Sequence, residues 1–222
     1  LLRLKNNFRE VSPKPESFQY YMLSIPCPLM KKLKDRQTGL LYGSYCADAL
    51  SLGVHWIYDT KELAQKHGRI THYRAPGGDS YHPHKQAGDQ GHVGDQALCL
   101  LNFLTKEKTW NSSHFMDHWL GMWRDYNDYI DGATKSTLAQ AQNQTDKTQA
   151  GSNSVEIAGP ARIAPLVAFL SNSSENEVVK AAVEQTMLTH RSKEAEESAT
   201  FLAKAGYRLV HGACLLDILK ET

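Results

Sequence analysis

Apolar residues along this chain recur at helical spacing rather than in alternation. The clearest run is Phe115, Trp119, Met122, Trp123 and Tyr126. These lie at i, i+4, i+7, i+8 and i+11, one face of a helix. Residues 38–54 are rich in Gly, Ala, Leu and Tyr, with Gly39, Gly43, Ala47 and Ser51 at every fourth place. That stripe predicts a helix whose small face admits a close neighbour. Asp59 or Thr60 is placed to cap a short helix reaching His67, with Gly68 as its left-handed terminator.

Further helices are predicted over 95–106, 133–142, 160–170 and 192–219, the third with Pro160 in its first turn. Ser174 and Glu177 form a capping-box pattern for another helix ending near Leu188. No strict alternation and no hairpin turn pair stands out. The pattern predicts an all-α domain of seven or eight helices with its chemistry in the loops. One loop is long: residues 70–94 hold five glycines, two prolines and four histidines. Loops of that length inside a domain are often functional. Residues 1–29, with Pro13, Pro15, Pro26 and Pro28, read as an extended leader, and the domain as 30–222.

Composition narrows the function classes. Lys plus Arg number 25 against 24 Asp plus Glu, a net +1 that offers no field for nucleic acid or an anionic membrane. No apolar run approaches the length of a membrane span. The four cysteines, Cys27, Cys46, Cys99 and Cys214, have no paired spacing, which points to a reducing compartment and a cytoplasmic protein.

Candidate chemistry gathers at three loop-to-helix junctions. At the first, Asp48 sits inside apolar helical text, as a buried structural acceptor or a functional carboxylate, with His55 downstream as pocket wall or helix-end charge. At the second, Asp95 follows His92-Val93-Gly94, where it either caps the helix or projects into a pocket as ligand or base. The nearby His82-Pro83-His84 resembles a metal pair by residue type only and defines no zinc site. At the third, Gly151-Ser152-Asn153-Ser154 precedes Arg162, a cradle of N–H groups for phosphate or ribose oxygens or else an ordinary turn. His190 ends a helix where it reaches a pocket or caps carbonyls.

These residues carry a resemblance. Gly39-Leu40-Leu41-Tyr42-Gly43 through Asp48-Ala49-Leu50, then Gly151-Ser152-Asn153 with Ala161-Arg162-Ile163-Ala164-Pro165-Leu166, then Leu188-Thr189-His190, follow the order seen in ADP-ribosylglycohydrolases. Val54-His55-Trp56-Ile57-Tyr58-Asp59 and Gly94-Asp95-Gln96 resemble the branch with the jellyfish J-type lens crystallins and selenoprotein J. The resemblance implies an all-α orthogonal multi-helix bundle, with two magnesium ions and ADP-ribose in a central cleft. It implies Asp95 as catalytic residue and metal ligand. His55, Gly151, Ser152, Asn153, Ser154, Arg162 and His190 are implied as substrate-facing, with ADP-ribose or an ADP-ribosylated protein as partner.

The chain departs from the family pattern. The acidic trio reads Val93-Gly94-Asp95, the acidic place after the first helix reads His55, and the distal Asp-x-Asp-Thr motif would fall beyond Thr222. A hard cation needs several oxygens, so magnesium is expected to be held poorly. Two functions follow. One is hydrolysis of the glycosidic bond of ADP-ribosyl conjugates. The other is a family member without catalysis, acting as a crystallin-like structural protein or an ADP-ribose binder. A C-terminally incomplete domain would expose Leu202, Leu209 and Leu216 and predicts self-association.

Overall fold

Nine α-helices and two 3-10 turns order residues 33–78 and 80–221, those that the computed structural model describes. They are α1 (Leu33–Leu52), α2 (Thr60–Lys66), α3 (His92–Glu107), α4 (Ser112–Met122) and α5 (Gly132–Ala141), then α6 (Ala164–Phe169), α7 (Glu175–Met187), α8 (Lys193–Val210) and α9 (Leu215–Lys220). The 3-10 turns, Lys147–Gln149 and Pro160–Arg162, lie between α5 and α6. Among the described residues there is no strand, only a parallel bridge between Ser152 and His190. The expected leader, 1–29, lies outside the described residues.

Local chemistry sets several helix ends. The Asp59 carboxylate accepts from the N–H groups of Lys61 and Glu62, and Gly68 stands at φ 59 just past the end of α2. Ser174 and Glu177 form the complete capping box of α7. The Phe115 pattern holds, but α4 stops at Met122 as the chain turns through Trp123, with Arg124 N–H donating to the Gly121 carbonyl. Tyr126 thereby leaves the helix for the site described below.

Two apolar clusters fill the interior. In the first, Leu100, Phe103 and Leu104 of α3 meet Phe115, Met116 and Trp119 of α4, with Leu166 and Leu188 beneath. Each such side chain contributes on the order of 1.5–3 kcal/mol by leaving water. In the second, Ile163 and Val167 pack with Val178, Ala182 and Ala203. Ala195, Ala199 and Ala203 are buried at four-residue intervals, so α8 can close on α7. No described helix is long and apolar enough to cross a membrane. Cys46, Cys99 and Cys214 are free thiols, and Cys27 lies outside the described residues.

Five expectations need correction. Gly39 and Gly43 face open space, so the small-residue stripe is not the packed face of α1. Residues 160–170 form a 3-10 turn followed by α6 rather than one helix. The helix expected over 192–219 breaks at Gly212, whose φ of 94 no continuous helix accommodates. The helix expected from Asp95 starts three residues earlier, at His92. Leu202, Leu209 and Leu216 are all partly buried rather than exposed.

Candidate functional site

The early start of α3 arranges the second junction. Gly91 is the N-cap, and its N–H donates to Asp48 Oδ2 at 2.6 Å across from α1. Asp48 is therefore a structural acceptor that ties α1 to the first turn of α3. Burial raises its pKa, the Gly91 N–H opposes that, and the charge of Asp95 adds to it. Its carboxylate lies against Gly94, and a Cβ there would collide with Asp48 Oδ2 and sit 2.5 Å from Gln90 Oε1. Glycine at 94 is required by this close approach.

Asp95 caps nothing. One oxygen, Oδ2, accepts from Lys85 Nζ at 2.5 Å and from the Tyr126 hydroxyl at 2.7 Å. The group borders a shallow hollow of about 390 Å³ with Leu98, Asn102, His118 and Met122. Burial, with the Asp95 hydrogen bond, pushes the Tyr126 phenol well above its usual range.

Beyond the end of α1 the structure assembles a cluster that no sequence spacing predicts. Trp56 stacks on His55, with ring centroids 3.8 Å apart, and meets Tyr81 and Tyr129 edge-on at 5.0 and 4.8 Å. Its φ of 67 is unusual for a bulky residue, and such backbone costs roughly 1–2 kcal/mol. Beside it lie His82 and His92, both buried. His82, not the exposed His84, is the member of the His-Pro-His segment that turns inward. The His82 Nδ1 is 2.7 Å from Asp128 Oδ1, and His92 Nε2 is 3.8 Å from Asp131 Oδ2. Burial holds the His92 imidazole down at about 4 against the pull of Asp131. It lowers His55 as well, helped by His82. Asp131 also caps α5, accepting from the Thr134 N–H at 2.7 Å and hydroxyl at 2.8 Å. Burial raises its pKa, but the two Thr134 bonds, His92 and Arg162 outweigh that and leave it lowered. Neither Asp128 nor Asp131 was singled out from sequence. The available signal was their place in Tyr126-Asn127-Asp128-Tyr129-Ile130-Asp131, just after the aromatic helix.

The third junction is stitched shut on its inner side. Ser152 N–H and hydroxyl both donate to the Thr189 carbonyl, and Arg191 N–H donates back to Ser152. Gly151 and Gly159 are pressed against Arg191 and His190, so neither admits a Cβ. Asn153 is exposed and Ser154 partly so, and Val155, Glu156 and Ile157 after them are exposed as well. Arg162 is buried, and its guanidinium donates to Gln96 Oε1 and Thr189 Oγ1. With its amide oxygen inward, Gln185 accepts from Arg162 Nε at 2.8 Å. Burial pulls the Arg162 pKa down to about 10, while the field of Asp131 holds it charged. His190 Nδ1 is 2.8 Å from Thr189 Oγ1, while its Nε2 is buried without a hydrogen-bond partner. The sequence-predicted residues thus fall into three places: His55 with the imidazole cluster, Asp95 with Lys85, and Ser152, Arg162 and His190 in one buried hydrogen-bonded layer. That layer communicates with the imidazoles through Asp131, whose charge acts on His92, Arg162 and His190.

A family model described as ADP-ribosylglycohydrolase matches residues 29–222. Among solved structures, one described as "ADP-ribosylglycohydrolase-related protein complex" superposes with a TM-score of 0.67 at 24% identity, over 86% of this chain and 62% of that chain. At that identity the likeness speaks to the fold, and this chain spans less than two thirds of the other's length. No curated protein matches significantly.

Proposed function

The chain belongs to the ADP-ribosylglycohydrolase family, and from that premise we propose that it recognises ADP-ribosyl groups without magnesium-dependent hydrolysis. The observation that carries this is the state of Asp95. The one carboxylate kept from the acidic trio is held by the Lys85 ammonium at 2.5 Å, a cation already in place. Magnesium demands near-octahedral oxygen ligands at about 2.0–2.1 Å. Here the neighbouring trio position is Gly94, its space is taken by Asp48, and Asp48 is itself bound by the Gly91 N–H. The residues present do not fit that ion.

Recognition is supported on the outer face. Trp56, Tyr81 and Tyr129 make an aromatic surface, with Tyr81 mostly exposed. The Tyr129 hydroxyl also feels the charge of Glu156, in the 151–157 loop. Asn153 and Ser154 would meet ribose or phosphate oxygens while an adenine stacks on the rings. Strained backbone at Trp56 accords with a binding role. Within the family, the segment 54–59 and Gly94-Asp95-Gln96 favour the branch with J-type crystallins and selenoprotein J.

The test pairs calorimetry of ADP-ribose binding with release of ADP-ribose from modified serine and arginine peptides, each with and without magnesium. Binding that ignores magnesium, with no release, is the expected result. Magnesium-dependent release abolished by Asp95→Asn would overturn it, and so would absence of ADP-ribose binding.

A further inference from the structure

We propose that His55, His82 and His92 form a binding site for a borderline transition-metal dication of the zinc class. The inference stands apart from the ADP-ribosyl reading and is tested by a different readout.

One nitrogen from each imidazole lies within 4.8 Å of one from each of the other two. The three ring centroids stand 5.7, 5.8 and 5.7 Å apart, close to an equilateral triangle. Zinc binds imidazole nitrogen at about 2.0–2.1 Å in tetrahedral geometry, which sets ligand nitrogens roughly 3.4 Å apart. Closing onto an ion therefore asks for movements of about an ångström. His55, just beyond the end of α1, is the partly exposed member of the three.

The second observation is the orientation of the two buried rings. His82 directs Nδ1 at Asp128, and its Nε2 is buried with no hydrogen-bond partner. His92 directs Nε2 toward Asp131, and its Nδ1 is buried with none. Buried polar nitrogens are rarely left unpaired. In each ring one nitrogen faces a carboxylate and the other is vacant, the carboxylate–histidine–metal arrangement that fixes tautomer and ring direction. Imidazole donors suit zinc, copper, nickel or iron rather than magnesium or calcium. Three protein ligands leave a fourth position for water or a bound molecule.

The experiment uses the tag-free full chain, stripped with chelator and titrated with zinc by calorimetry and with cobalt by visible absorption. One equivalent should bind, with the intense bands of a four-coordinate cobalt site, and millimolar magnesium should not compete. His55→Gln and His82→Gln should each remove that equivalent. Asp128→Asn should weaken it about 10–100-fold, and His84→Gln should leave it unchanged. Circular dichroism checks that the variants remain folded, and His55→Gln, at the exposed corner, gives a reading if His82→Gln does not fold. Failure of the parent chain to take up zinc or cobalt, or uptake that survives His55→Gln, would overturn the proposal.

Discussion

Substituting alanine for Gly94 tests whether the second junction is a filled space or a vacated one. The added Cβ would strike Asp48 Oδ2 and lie 2.7 Å from Asp48 Cγ. In an ordinary helix the exchange gains about 1 kcal/mol of propensity. Here the Asp48 carboxylate must leave its 2.6 Å contact with the Gly91 N–H. A hydrogen bond to a charged acceptor contributes about 1.5–3 kcal/mol, and overpacking costs about 1–3 more. The crowding wins, with a net loss of about 2–4 kcal/mol. Urea denaturation followed by tryptophan fluorescence reads it. In the Asp48→Ala background the obstacle is gone, so adding Gly94→Ala should cost nothing or stabilise slightly, giving a coupling energy of about the same 2–4 kcal/mol. A Gly94→Ala protein as stable as the parent would refute the reasoning. By the same geometry, Gly94→Asp restores the family's residue type without restoring a magnesium site, because Asp48 occupies the position a second carboxylate would need.

Two further outcomes follow from the buried layer and the turn between α8 and α9. Burial, then the like charge of Arg162, hold His190 down at about 4 against the opposing pull of Asp131, whereas the unfolded imidazole titrates near 6.5. The unfolded state then binds more protons between those values, so stability present above about pH 6.5 is lost as pH falls toward 4, by about 3 kcal/mol. His190→Gln should remove that share of the pH dependence; identical slopes of urea midpoint against pH for parent and variant would contradict it. Gly212 stands at φ 94 with the Arg36 guanidinium 2.9 Å from where a Cβ would project. Gly212→Ala should cost about 1–2 kcal/mol, mostly backbone strain, read as a lowered melting temperature, and an unchanged melt would contradict that.

What the sequence made legible was what local chemistry decides. The Ser174–Glu177 box, the Asp59 cap, Gly68 and the Phe115 face are each set by residues within a turn or two of one another. The misses share one cause, contacts made across the fold. Apolar spacing runs through Leu209, Ala213 and Leu216 without interruption, so only the conformation of Gly212 reveals two helices. Asp95 was legible as either a cap or a pocket residue, and Lys85 and Tyr126, brought from two separate segments, decide it. Arg162 looked like a phosphate ligand because its partners Gln96, Gln185 and Thr189 are spread along the chain. His55, His82 and His92 share no spacing at all; the hints were the long loop that carries two of them and the residue type of the His82-Pro83-His84 segment.

Hydrogen-bond accounting separates the two cation chemistries at this end of the molecule. Asp48 accepts from Gly91, Asp95 from Lys85 and Tyr126, and Asp131 from Thr134 twice. Asp128 gives one oxygen to His82 and the Tyr129 N–H, and only its Oδ2 is buried without a partner. A hard dication would compete with donors already seated on each of these carboxylates. The two buried imidazoles present the opposite case, since His82 Nε2 and His92 Nδ1 have no donor or acceptor to give up. Binding there exchanges an unmet polar group for a bond, and the carboxylates serve better behind the rings than in contact with the ion. Any divalent-ion dependence of this chain should therefore rise from manganese through nickel and copper, as nitrogen sites do, and be indifferent to magnesium and calcium.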